Sequence, residues 1–95
     1  MTYAYRVSPN FKRVLQKKPK EMREAVKQCI LRLSENPRHP GLNTHKMKGL
    51  RSKDQVWEAY VDAGNRVTFH YELVGKKTII VLRNNCNHDM LTRNP

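Results

Sequence analysis

The sequence predicts a two-layer α+β fold: an N-terminal strand, an antiparallel helical hairpin, then a three-stranded antiparallel meander. Three observations carry this expectation. Apolar residues recur at helical spacing through residues 22–33, alternate with polar ones through "VWEAYV" and "RVTFHYEL", and run together in "TIIVLR". A chain of 95 residues, 38% of them hydrophobic, has room for one modest core, so one domain over 1–95 is expected.

Each element has a local reason. "TYAYRV" alternates Tyr3, Tyr5 and Val7 against Ala4 and Arg6 and reads as a short strand. Ser8 is a helix cap and Pro9 suits a first helical position, where no amide hydrogen is needed. Phe11, Val14 and Leu15 then share a face until Pro19 ends that helix and opens the next. Met22, Ala25, Val26, Cys29, Ile30 and Leu33 form one apolar stripe, opposite Lys20, Arg23, Lys27 and Arg32. "ENPRHPGLN" breaks the helix with two prolines and a glycine. Helices so close in sequence are expected to fold back as a hairpin.

The strands follow. Trp57, Ala59 and Val61 oppose Glu58 and Tyr60. "DAGN" reads as a turn. Val67, Phe69, Tyr71 and Leu73 oppose Arg66, Thr68, His70 and Glu72. "VGKK" is the next turn, and "TIIVLR", apolar on both faces, is expected inside the sheet. Helical stripe and apolar sheet face then cover each other. The opposite, open sheet face is left with Glu58, Tyr60, Arg66, Thr68 and His70. Arg83, which shares a face with Ile79 and Val81, joins them if that face is the open one.

The net charge of +11 points to a polyanionic partner: nucleic acid, an anionic membrane or an acidic protein. It is uneven. Residues 1–55 hold 14 Lys and Arg against 4 Asp and Glu, whereas residues 56–95 hold 5 against 4. No apolar run reaches membrane-span length and no signal-peptide pattern opens the chain, so a cytoplasmic protein is expected. Cys29 reads as core and Cys86 as tail, two free thiols rather than a disulfide. Cys86 and His88 lie one residue apart with no second pair, which does not make a zinc site.

Metal-free RNA cleavage needs a base for the 2′-hydroxyl, cations for the phosphate and an acid for the 5′-oxygen. Histidine suits the proton steps, and the arginine fork suits phosphate. The chain offers His45, His70 and His88 with Arg66, Arg83, Lys46 and Lys48. Each has a plainer reading: the arginines as solvated strand ends, His70 as a surface polar residue, Lys46 and Lys48 as a solvated pair.

The order of these parts resembles the RelE/ParE superfamily of bacterial toxins over nearly the whole chain. The specific stretches are "HKMKG" before the Trp57 strand, "NRVTF", and His88-Asp89 in the terminal "NHDML". The tail is most similar to YafQ-type messenger-RNA interferases. These carry one histidine before a Leu-x-Gly segment and another near the C-terminus, after an arginine on the last strand. His45, His88 and Arg83 match those places. The chain departs from the pattern in three respects. Arg83 and His88 are one residue further apart, "VDAGNR" has no histidine, and Glu58 and Tyr60 stand on the strand where RelE has lysines.

The resemblance implies a RelE-like fold and a toxin of a type II toxin–antitoxin system. Its activity would be ribosome-dependent mRNA endoribonuclease cleavage by metal-independent acid-base chemistry, with no cofactor. Its partners would be an acidic antitoxin, the ribosomal decoding site and mRNA. His88 is then the expected acid and His45 the base, with Glu58 or His70 as alternatives. Arg66 and Arg83 would stabilise the phosphorane. Lys46 and Lys48 would hold the RNA or ribosomal-RNA backbone, Arg51, Lys53 and Tyr60 would also hold RNA, and Asp89 would orient His88. A ParE-like DNA gyrase inhibitor and a non-enzymatic RNA-binding domain remain as alternatives. The aromatic content of 7% offers few stacking platforms for the latter.

Overall fold

The computed structural model describes residues 3–47, 55–62 and 65–86. Along the chain run β1 (Ala4–Val7), α1 (Pro9–Gln16), α2 (Lys20–Glu35), a 3-10 turn (Pro40–Leu42), β2 (His45–Lys46), β3 (Trp57–Asp62), β4 (Asn65–Val74) and β5 (Lys77–Cys86). The strands form one mixed sheet in the order β1-β5-β4-β3-β2. β1 lies parallel to β5; the other pairs are antiparallel. The expected meander is therefore β3-β4-β5, and β5 has neighbours on both sides.

The two-layer α+β reading holds, and the helices sit where their apolar stripes require. α1 packs on β5 and α2 on β3. Phe11, Val26, Cys29, Ile30, Leu33 and Leu42 meet Ala59, Val67, Phe69, Ile80 and Leu82 in one core. Full burial of a side chain such as Phe11 or Phe69 contributes about 1.5–3 kcal/mol. Ser8 caps α1 as expected, its hydroxyl accepting the Phe11 amide at 3.1 Å. Gly75, at φ +61°, makes the β4–β5 turn in a backbone region that L side chains rarely adopt. Among the described residues, no helix is long and apolar enough to cross a membrane.

Two features depart from the sequence reading. His45–Lys46 is a strand, paired with Trp57 and Glu58, which the chain's periodicity does not announce. The second sheet face is also not open as expected. Glu58, Thr68, His70 and Asn84 on it are all buried. Alternation assigns a residue to a face; it does not say whether that face meets water.

Candidate functional site

One row of paired residues crosses four strands on the face away from the helices: His45 opposite Glu58, Glu58 opposite Thr68, Thr68 opposite Asn84. Paired residues share a face, so this row is fixed by backbone register alone. Tyr60 and Arg66 form the next row, and His70 lies on the same face one step to the other side.

Arg83 reaches this face through a β-bulge. Phe69 pairs with Leu82 but Thr68 pairs with Asn84, so Arg83 is one extra residue in β5. Bulges re-aim side chains. Here the extra residue lets both Arg83 and Asn84 serve the polar face, while Leu82 stays in the core. The start of α1 holds the bulge in place. The Arg83 carbonyl accepts hydrogen bonds from the Ser8 hydroxyl at 3.1 Å and the Asn10 amide at 3.2 Å. Beyond the bulge, the buried Asn85 amide donates to Asn65 Oδ1 at 2.6 Å and the Arg66 carbonyl at 2.7 Å.

Glu58, only 1% exposed, lies between His45 and Arg66. His45 Nε2 is 3.4 Å from its Oε1 and Arg66 Nε is 3.8 Å from the same oxygen. A buried carboxylate needs such partners. The other ring nitrogen of His45, Nδ1, donates to the Asn43 carbonyl at 3.0 Å. Both ring nitrogens thus face oxygens. The half-exposed His45 links the surface to the buried Glu58. Arg66 is steadied by its stack on Tyr60, 4.6 Å from guanidinium carbon to ring centre, and by its bond to the Asn65 carbonyl at 3.1 Å.

The second group centres on His70, 8% exposed. Arg83 Nη1 stands 2.9 Å from its Nδ1, and Glu72 Oε1 stands 3.3 Å from its Nε2. A guanidinium can only donate, so Nδ1 carries the lone pair and Nε2 the hydrogen. Glu72 Oε2 in turn takes Arg6 Nη2 at 2.6 Å. The hydrogen bond from His70, with the Arg6 guanidinium beside it, holds the Glu72 carboxyl below its usual range.

Of the residues singled out from the sequence, His45, Glu58, Tyr60, Arg66, His70 and Arg83 come together on this face. Lys46 does not join them. It neighbours His45 in β2 and so faces the other way, its Nζ 5.4 Å from the Trp57 ring centre. His88, Asp89, Lys48, Arg51 and Lys53 lie outside the described residues. Sequence reasoning missed Arg6, Glu72 and Asn84 as parts of the site. The first two sit at the right phase of their strands, but their meeting spans 66 positions in sequence. Asn84 is displaced onto the face by a bulge that no residue type marks.

A single sheet face carrying two arginines, two histidines and a buried carboxylate can hold a phosphodiester and move protons beside it. No protein-family model matches the chain, and no curated protein sequence matches it. Its fold is that of the RelE/ParE-type toxins. Among solved structures it is similar to the archaeal RelE–RelB complex from Pyrococcus horikoshii OT3, with a TM-score of 0.71, 19% identity, and coverage of 92% of this chain and 96% of that one. The YoeB/ParE toxin from Agrobacterium tumefaciens gives 0.71 at 14% identity, covering 90% and 98%. YafQ from E. coli strain BL21(DE3) gives 0.68 at 15% identity, covering 94% and 97%.

Proposed function

We propose that this chain is the toxin of a type II toxin–antitoxin system and acts as a ribosome-dependent mRNA endoribonuclease in the cytoplasm. The observation that carries the reading is the convergence of Glu58, His45, Arg66, His70 and Arg83, from four strands, on one sheet face. The shared fold supports it, since the similar structures are of toxins, two of them in complexes named RelE–RelB and DinJ–YafQ. The +11 charge suits both mRNA on the ribosome and an acidic antitoxin.

In this mechanism the His45–Glu58 pair takes the proton of the 2′-hydroxyl. The neutral ring accepts it, and Glu58 stabilises the imidazolium that forms. His70 fits the base role less well, because it is buried and its Nδ1 already accepts from Arg83. The 2′-oxygen attacks phosphorus, and Arg66 and Arg83 stabilise the charge on the phosphorane. His88 protonates the departing 5′-oxygen, with Asp89 orienting it. The products are a 2′,3′-cyclic phosphate and a 5′-hydroxyl. Lys48, Arg51, Lys53 and Tyr60 hold the RNA. Lys46, over Trp57, serves ribosomal RNA rather than the reacting strand.

The test is single-turnover cleavage of mRNA on programmed ribosomes. A general acid contributes about 10²–10⁴-fold and a charge-stabilising group about 10²–10³-fold. His88→Ala and Arg83→Ala should each lose activity by those factors while remaining folded; full rates from both would remove them from the chemistry. The similarity to a YoeB/ParE toxin keeps a second reading, gyrase inhibition. It predicts blocked supercoiling and intact mRNA.

A further inference from the structure

We propose that Glu72 and Arg6 are positioning residues that act on Arg83 through His70. Four side chains on three strands form a continuous chain of contacts: Arg6 Nη2 to Glu72 Oε2 at 2.6 Å, Glu72 Oε1 to His70 Nε2 at 3.3 Å, and His70 Nδ1 to Arg83 Nη1 at 2.9 Å.

The direction of each hydrogen bond is forced by chemistry. Both arginines are permanent donors and Glu72, with its carboxyl held below its usual range, is an acceptor. The imidazole between them must therefore donate toward Glu72 and accept from Arg83. Only the neutral ring with hydrogen on Nε2 does both. A hydrogen moved to Nδ1 would point at the Arg83 guanidinium, and a doubly protonated ring would add a repelling charge there. Glu72 thus selects the tautomer that receives Arg83, and Arg6 fixes Glu72 by taking its other oxygen.

Arg83 is the extra residue of a bulge. The bulge places its backbone, through Ser8 and Asn10 at its carbonyl. It does not by itself set the rotation of a long side chain. His70, buried among the strands, supplies the fixed acceptor for one guanidinium nitrogen. His70 is then an orienting group rather than the base, and Arg6, at the far side of β5, belongs to the same device.

The first readout is independent of any enzymatic activity. Nitrogen-15 NMR of the imidazole in the full chain should report His70 as a single tautomer, with hydrogen on Nε2. Glu72→Ala should convert it to a mixture of tautomers and speed the rotation of the Arg83 guanidinium, with the fold intact by thermal unfolding. Arg6→Met should give the same change to a smaller extent. Glu72→Gln, which keeps an acceptor oxygen, should restore the tautomer in part. A wild-type ring with hydrogen on Nδ1, or a Glu72→Ala spectrum identical to wild type at His70 and Arg83, would overturn the proposal.

The consequence for cleavage rests on the nuclease reading. There, Glu72→Ala should lower the single-turnover rate by up to about 10²-fold, the size expected when a group near the chemistry shifts by about an ångström. The loss should fall on the cleavage rate and not on ribosome binding. A changed ring spectrum with no cleavage by the wild type would leave the positioning device standing and remove the nuclease.

Discussion

Glu58 is 1% exposed, and His45 and Arg66 stand within 4 Å of it. Replacing its carboxyl by an amide weakens the contact that both of them share. Glu58→Gln should therefore lower single-turnover cleavage by about 10²–10⁴-fold, the range for lost acid-base function, whereas Glu72→Gln should be far milder. Equal effects from the two would place Glu58 in a structural role. At this scale the sequence was informative about membership and silent about surroundings. Alternation put Glu58, Arg66 and His70 on one face, and the structure agrees. Burial was not legible, because "VWEAYV" reads the same whether Glu58 meets water or an arginine. The direction of Lys46 was not legible for a related reason. Two residues are too few to display a period, so "HK" could not be read as a strand that sends His45 and Lys46 to opposite faces.

Elements impose a different set of constraints, and the start of α1 bears several of them. The Ser8 hydroxyl accepts the Phe11 amide and donates to the Arg83 carbonyl, so one side chain both caps a helix and braces the bulge. Ser8→Ala should cost about 1 kcal/mol through the cap, or about 4–8 °C in Tm for a domain of this size. It should also reduce cleavage through Arg83, and Ser8→Thr should recover both. Loss of stability with an unchanged rate would separate cap from bulge. Asn85 holds the strand ends beyond the bulge; Asn85→Ala should cost about 1–3 kcal/mol by stripping buried groups of partners, measurable by urea unfolding. The helices, the Ser8 cap of α1 and the meander were legible because period, proline and capping residue all agreed. The bulge was not. "TIIVLR" is apolar on both faces, so nothing in its pattern reports where the phase changes.

The whole molecule is a small core carrying a large positive charge, and its responses to pH and salt follow. Burial pushes the Cys29 thiol from 9.0 up to about 12. The unfolded chain then releases this proton near pH 9 while the folded chain retains it, so stability should fall as pH rises from about 9 toward 12. Cys29→Ala should lose this Cys29 contribution to the alkaline slope in urea titrations; an unchanged slope would assign it elsewhere, for instance to Tyr71, whose pKa burial also raises. Glu72 acts at the other end. Its lowered pKa contributes stability above the ordinary carboxylate range that is lost as pH falls through its folded value. The logarithm of the affinity for RNA should fall linearly with the logarithm of salt concentration, as contacts to phosphate require.

Charge and fold were both visible in the chain's pattern, but only chemistry on RNA tests what they serve. The most direct measurement maps mRNA on programmed ribosomes to single nucleotides and identifies the new ends. Cuts are expected at the decoding site, with 2′,3′-cyclic phosphate and 5′-hydroxyl ends, and should vanish in Arg83→Ala and Glu58→Gln. Intact mRNA with a folded wild-type protein, or cuts that persist in both variants, would contradict this expectation.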